Sequence, residues 1–133
     1  KDLTIATAIA EAIKAVDPAL YMLCLANSQM GVAARNAGLP YVEEAFADRA
    51  YTDEGSLVSR KIAGSVIHDL DQVVSRVVQM VRDKTVVSIH GNLVPIQAQT
   101  ICVHGDTPGA VSMVKAIRAA LEKEKISLRA FGC

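Results

Sequence analysis

The sequence has no tryptophan, and its three tyrosines and two phenylalanines bring the aromatic share to only 4% of 133 residues. A core must therefore be filled by Ala, Val, Ile and Leu, as in layered helix-and-sheet proteins, and platforms for stacking bases or sugars are scarce. No sign of charge dominates: 14 Lys and Arg stand against 14 Asp and Glu. Without a basic cluster to displace counterions, neither nucleic acid nor an anionic membrane surface is expected as the main partner. Long hydrophobic runs are missing too. Ala19–Ala26 falls far short of the roughly 20 apolar residues a membrane span requires. The three cysteines, Cys24, Cys102 and Cys133, are odd in number and widely spaced, with no CxxC pair and no secretory leader pattern. They read as reduced thiols of a soluble, cytoplasmic protein. Glycine-rich phosphate loops of the GxGxxG or GxxxxGK[ST] type are absent, so any ATP is bound by other devices.

What is present suits a packed core: 51% of residues are hydrophobic and 21% charged, enough for one compact domain or a piece of one. Leu3, Ile5, Ile9, Ala12, Ile13 and Val16 recur at helical spacing, and Asp17-Pro18 ends that helix. Ala19–Ala26 is a continuous apolar run of strand length, as expected of a parallel strand covered on both faces. Ser28 can cap a helix over Gln29–Ala37 that Gly38 ends. A strand over Tyr41–Ala47 leads into a polar excursion, in which Leu57–Arg60 is a candidate short strand. Asp69 or Asp71 opens a helix to Arg82 with Val73, Val74, Val77, Val78 and Val81 on its apolar side. Val86–Ile89 and Leu93–Ile96 flank His90-Gly91-Asn92 as a small hairpin. Thr100–His104 is a buried strand, Thr107 and Pro108 start a helix to about Lys123, and Ser127–Phe131 is expected as a last strand. This alternation points to a largely parallel α/β sheet or barrel. A closed barrel needs roughly 200 residues or more, so the chain is expected to be the C-terminal portion of a longer polypeptide.

Two places carry residues suited to chemistry. Cys102 and His104 alternate onto one face, and His104 stands at the carboxyl end of its strand, where α/β barrels carry their sites. A histidine suits proton transfer near neutral pH, and neighbouring Asp106 can orient it. Cys102 with His104 can also be read as a thiol nucleophile with its base, or as metal ligands, but a buried structural thiol needs no third partner. In the second place, Glu44, Phe46 and Asp48 share one side if the strand stays extended. Arg49 follows, a guanidinium able to hold a carboxylate through two parallel hydrogen bonds. Arg60 lies on the excursion, where binding loops commonly sit. His68 and His90 fall near turns, and their spacing builds no metal site.

Several motifs in a fixed order carry a resemblance: Phe46-Ala47-Asp48-Arg49-Ala50-Tyr51, then Gly55-Ser56-Leu57-Val58-Ser59-Arg60, then Gly64 with Val66-Ile67. After them comes Thr100-Ile101-Cys102-Val103-His104-Gly105-Asp106-Thr107-Pro108. From about Ala8 onward the chain closely resembles the LamB/YcsF family, that of the A-subunit of prokaryotic 5-oxoprolinase. The resemblance implies the C-terminal half of an irregular seven-stranded (β/α) barrel of the glycoside hydrolase/deacetylase type, residues 1–133 being that portion and the N-terminal half being absent. It implies a cytoplasmic, ATP-dependent ring opening of 5-oxoproline to L-glutamate with separate B and C subunits. Carried onto this sequence, it makes His104 and Asp106 the candidate catalytic pair, and Asp48, Arg49 and Arg60 the substrate-binding groups, with the metal requirement unassigned. Asn27, Gln29 and Gln99 depart from the family pattern, standing where Gly, Glu and an acidic residue are usual. The competing expectations are a non-catalytic fragment or interaction module whose open sheet edges associate, as a homo-oligomer or otherwise, and a metal-dependent deacetylase suggested by barrel analogy.

Overall fold

The structure, a computed structural model, describes residues 2–106 and 108–132. Its elements run α1 Leu3–Val16, β1 Met22–Leu25, α2 Gln29–Ala37, β2 Tyr41–Phe46, α3 Leu70–Arg82, β3 Thr85–Val87, β4 Leu93–Pro95, β5 Thr100–Cys102 and α4 Ala110–Lys123. Helix starts follow their caps. The Asp2 carboxylate accepts from the Thr4 and Ile5 amides, Ser28 Oγ from Met30, and Asp69 from Gln72, each meeting a donor that no helical carbonyl reaches. Gly38 ends α2 at φ 68°, a left-handed turn that a side chain would strain. Ser28→Ala is expected to cost about 1 kcal/mol, seen as a lower urea midpoint at unchanged slope.

β1, β2 and β5 form a parallel sheet in the order β1-β2-β5, and β3 pairs with β4 as a separate antiparallel hairpin. Parallel neighbours need a crossover between them. α2 supplies the first, while the excursion, α3 and the hairpin together make the second. The register sets Glu44 beside Thr100, Ala45 beside Ile101 and Phe46 beside Cys102. With a period of two, Ala45 and Ile101 therefore share one face, and Glu44, Phe46 and Cys102 the other.

The first of these faces is covered. Ala6 and Ala10 of α1 meet Ala33 and Ala34 of α2 against Met22 and Cys24, alanines that let the helices approach closely. Tyr51, Met80, Val86, Val94 and Ile96 gather with Ala45, and α3 packs on α4 through Val73, Val77, Met113, Ile117 and Leu121. The second face stays half-exposed.

The structure departs from the sequence reading in five places. The expected buried strand over Thr100–His104 ends at Cys102 and is half-buried, so His104 stands two residues beyond it. β1 is covered on one face rather than both, because Leu23, between buried Met22 and Cys24, is 48% exposed. Ser127–Phe131 is not a strand. Ile126 packs on the α3–α4 core, and the residues after it are exposed with no ladder partner to convert their alternation into a strand. Pro108 stands before the last helix, since Gly109 at φ 84° interrupts the chain and serves as its N-cap; Thr107 lies outside the described residues. Leu57–Arg60 pairs only at Leu57, in an isolated bridge to Tyr51.

Candidate functional site

The ladder between β2 and β5 continues one step beyond β2, where the Ala47 amide donates to the Cys102 carbonyl at 3.0 Å. The next residue, Asp48, is thereby brought against the chain that leaves β5. His104 Nδ1 lies 3.0 and 3.2 Å from the two Asp48 carboxylate oxygens. Asp48 is almost wholly buried, its side chain only 1% exposed, while His104 keeps 20%. Against an ionised carboxylate, which only accepts, Nδ1 is the donor, and Nε2 remains to take or give a proton. The Phe46 ring stacks on the imidazole, with centroids 5.3 Å apart and planes 29° from parallel.

This pair sits on a braced backbone. The Ile67 amide donates to the Asp48 carbonyl at 2.8 Å and the Ala50 amide to the Ser65 carbonyl at 2.9 Å. Arg49 is buried, and its Nε and Nη2 donate to the carbonyls of Ser65 and Val58. Arg76 Nη2 in turn donates to the Arg49 carbonyl at 2.9 Å and Nη1 to that of Val87. Its Nε has no partner, and burial lowers the Arg76 pKa.

A cavity of about 220 Å³ brings together Asp48, Arg49, Arg60, His104 and Asp106 with His68. The five residues that the family resemblance carried onto this sequence thus line one space, drawn from three separate stretches of chain, whereas Glu44 and Cys102 lie outside it. Their roles differ from the sequence reading in one respect. The carboxylate that orients His104 is Asp48, across the sheet, rather than Asp106, two residues on, because the turn after β5 leaves Asp106 exposed. Arg60 is the exposed guanidinium, whereas two of the Arg49 nitrogens are already given to backbone carbonyls. His68 was not singled out; only the fold brings its loop to the cavity. Larger hollows of about 500 and 630 Å³ lie beside α4 and α3; neither is lined by Asp48 or His104, although the one beside α3 shares Val66 and His68 with the smaller cavity. No group of three or more His, Cys, Asp or Glu among the described residues is arranged to hold a metal ion.

Electrostatics set the half-exposed face apart. Burial raises the Glu44 pKa, and His104 pulls it partly back. The Cys102 thiol is raised by burial and then by Glu44 and Asp48. For Glu44 the sign is destabilising. The folded protein holds this proton more tightly than the unfolded chain, so the stability it contributes is present at low pH and is lost as pH rises through the raised value. Glu44→Gln is therefore expected to melt at or above the wild-type temperature at pH 7, with the difference closing at pH 4, as scanning calorimetry can establish.

Comparison with known proteins identifies the family. The LamB/YcsF family model matches residues 1–132. The chain belongs to the LamB/YcsF family. It is 50% identical over 124 residues to 5-oxoprolinase A-subunit 1 of Agrobacterium fabrum, covering 93% of this chain and 49% of that protein. It is 52% identical over 130 residues to the 5-oxoprolinase A-subunit of Acinetobacter baylyi, covering 98% and 51%. The crystal structure of a lactam utilization protein from Thermus thermophilus superposes with a TM-score of 0.88 at 39% identity, over 98% of this chain and 52% of that one. The chain thus spans about half the length of these LamB/YcsF relatives. Two of the positions noted in the sequence have local structural roles. Asn27 stands at φ 61°, a left-handed conformation that glycine takes freely and asparagine tolerates, and its amide donates to the Pro95 carbonyl. Gln99 Oε1 accepts the Glu43 amide.

Proposed function

We propose that this chain is part of a 5-oxoprolinase A-subunit, and that its Asp48–His104 cavity takes part in ring opening of 5-oxoproline to L-glutamate coupled to ATP. The observation that carries the reading is the buried Asp48 carboxylate on His104 Nδ1, at the carboxyl ends of parallel strands and beside an exposed arginine. The names and structural likeness of the relatives support it. A cavity of about 220 Å³ suits a small cyclic acid better than a nucleotide. In this reading the chain is the C-terminal half of an irregular seven-stranded barrel in the cytoplasm, and it works with B and C subunits.

A five-membered lactam resists water because its amide is resonance-stabilised. Phosphorylation of the amide oxygen by ATP makes the carbonyl carbon electrophilic, and the attack of water then calls for a proton acceptor and for stabilisation of the charge that develops. His104 Nε2 takes the proton from water while Asp48 holds the ring and stabilises the imidazolium. The tetrahedral adduct then breaks its ring C–N bond as the imidazolium returns the proton to nitrogen, and a second water releases phosphate from the acyl phosphate that remains. Asp106, at the rim, assists in passing protons to solvent. Arg60 holds the substrate carboxylate, and Arg49 adds positive charge behind it.

Arg60→Gln in the complete enzyme is expected to raise KM for 5-oxoproline roughly tenfold, the loss of one charge-assisted contact, with kcat little changed. An unchanged KM would remove Arg60 from the substrate site. A second reading, an interaction module, is favoured by the apolar residues left exposed on α1 and β1, among them Ile5 at 60% and Leu23 at 48%. It predicts association of this chain without any dependence on Arg60 or His104.

A further inference from the structure

We propose that Phe46 is a positioning residue of this site, whose ring holds the His104 imidazole in place and stabilises it once it carries a proton. The proposal rests on the reading of His104 as the proton acceptor. Its ground is the stack itself, with centroids 5.3 Å apart and planes 29° from parallel, inside the roughly 6 Å over which an aromatic face attracts a cation. Three observations set this ring apart from a core filler. Its neighbours Ala45 and Ala47 are fully buried on the covered face, whereas Phe46 lies on the half-exposed one and packs into none of the three buried clusters. The backbone at its root is pinned twice: the Phe46 amide donates to the Tyr51 hydroxyl at 2.9 Å, and the Ala47 amide to the Cys102 carbonyl at 3.0 Å. The register also sets Phe46 beside Cys102, two residues before His104, so the sheet itself brings the ring to the imidazole.

The two holds on His104 complement each other. A hydrogen bond from Nδ1 to Asp48 fixes one atom of the imidazole, and a stack on its face restrains the tilt that a single hydrogen bond leaves free. The negative face of a phenyl ring also attracts an imidazolium more than a neutral imidazole, because its quadrupole favours positive charge. With the His104 side chain only 20% exposed, water screens that attraction only in part. An interaction that strengthens as the proton arrives lowers the barrier rather than tightening substrate binding.

The test replaces Phe46 by mono-, di- and trifluorinated phenylalanine in an enzyme of the relatives' full length carrying this chain, since fluorine drains negative charge from the ring face while nearly keeping its shape. The charged and titratable groups around His104 are Asp48, Arg49, Arg60, His68 and Asp106 in its cavity, with Glu44 and Cys102 on β2 and β5. The fluorine series alters none of them. The His104 titration is followed by NMR, its signal identified by its loss in His104→Gln. From phenylalanine to the trifluorinated ring it should move stepwise to lower pH, by about half a unit in all, and kcat measured above the titration should fall about threefold at constant KM. Phe46→Leu, which keeps apolar bulk without a π face, should move both at least as far. The same analogues at Phe131 should change neither. A His104 titration indifferent to fluorination of folded protein, as a purely steric stack predicts, or one that moves equally with Phe131, would overturn the proposal. The titration does not depend on lactam turnover. An enzyme inactive on 5-oxoproline would count against the functional reading, while the titration still decides the place of Phe46.

Discussion

His104→Ala in the complete enzyme is expected to reduce ATP-dependent turnover of 5-oxoproline roughly 100-fold or more, the usual contribution of a positioned acid or base. The fold should survive, because the side chain lies at the cavity surface beyond the end of β5 and holds no backbone group. Asp48→Asn should fall in the same direction while keeping a hydrogen-bonding partner for Nδ1, since what it removes is the charge that stabilises the imidazolium. The diagnostic is the split between the two constants. Loss confined to kcat with KM nearly constant marks a group that acts in the transition state, whereas Arg60→Gln should show the reverse. Retained kcat in a folded His104→Ala protein would end the assignment of His104 as the proton acceptor.

Tyr51→Ala should be the most destabilising single change in the described core, costing about 3–5 kcal/mol. The ring is fully buried among Ala45, Met80, Val86, Val94 and Ile96, so its removal leaves a cavity with no room to collapse. Its hydroxyl also accepts the Phe46 amide at 2.9 Å, and its carbonyl accepts the Ile89 amide at 2.8 Å, tying the hairpin to β2. Tyr51→Phe isolates the hydroxyl. It should cost about 1–3 kcal/mol for the unpaired Phe46 amide and leave the packing intact. In thermal unfolding the alanine variant should melt about 10–20 °C below wild type. Equal melting temperatures for the two variants would show that the hydrogen bond, not the buried ring, carries the effect. Because Phe46 stacks on His104, the phenylalanine variant should also loosen the site, which a small fall in kcat would register.

Much of this was legible in the chain, for identifiable reasons. α1, α2, α3 and the hairpin follow from apolar spacing, helped by residues with local effects, Ser28, Gly38 and Asp69, whose caps need no tertiary partner, whereas the Asp2 cap of α1 came only from the structure. The gathering of Asp48, Arg49, Arg60, His104 and Asp106 around one cavity was reached through motifs in fixed order. Spacing alone placed His104 near the end of its strand but assigned its carboxylate to the wrong neighbour. Asp106 is near in sequence; Asp48 is near because β2 and β5 are parallel neighbours, a long-range pairing that no local pattern announces. The expected strand at Ser127–Phe131 failed for a related reason, since alternation becomes a strand only beside a partner. The start of α4 was misread because Pro108 at a first helical position is a common pattern, while Gly109 in a left-handed conformation stops the helix behind it. His68 and the electrostatic weight of Glu44 emerged only when loop and sheet were assembled.

The most direct test of the central claim is release of glutamate from 5-oxoproline in the presence of ATP, by an enzyme of the relatives' full length carrying this chain, assembled with separate B and C subunits, alongside its His104→Ala variant. ATP-dependent glutamate release by the parent, reduced roughly 100-fold or more in the variant, is the result this account predicts. Release at equal rates by both folded proteins, or no release by a folded and assembled parent, would contradict it.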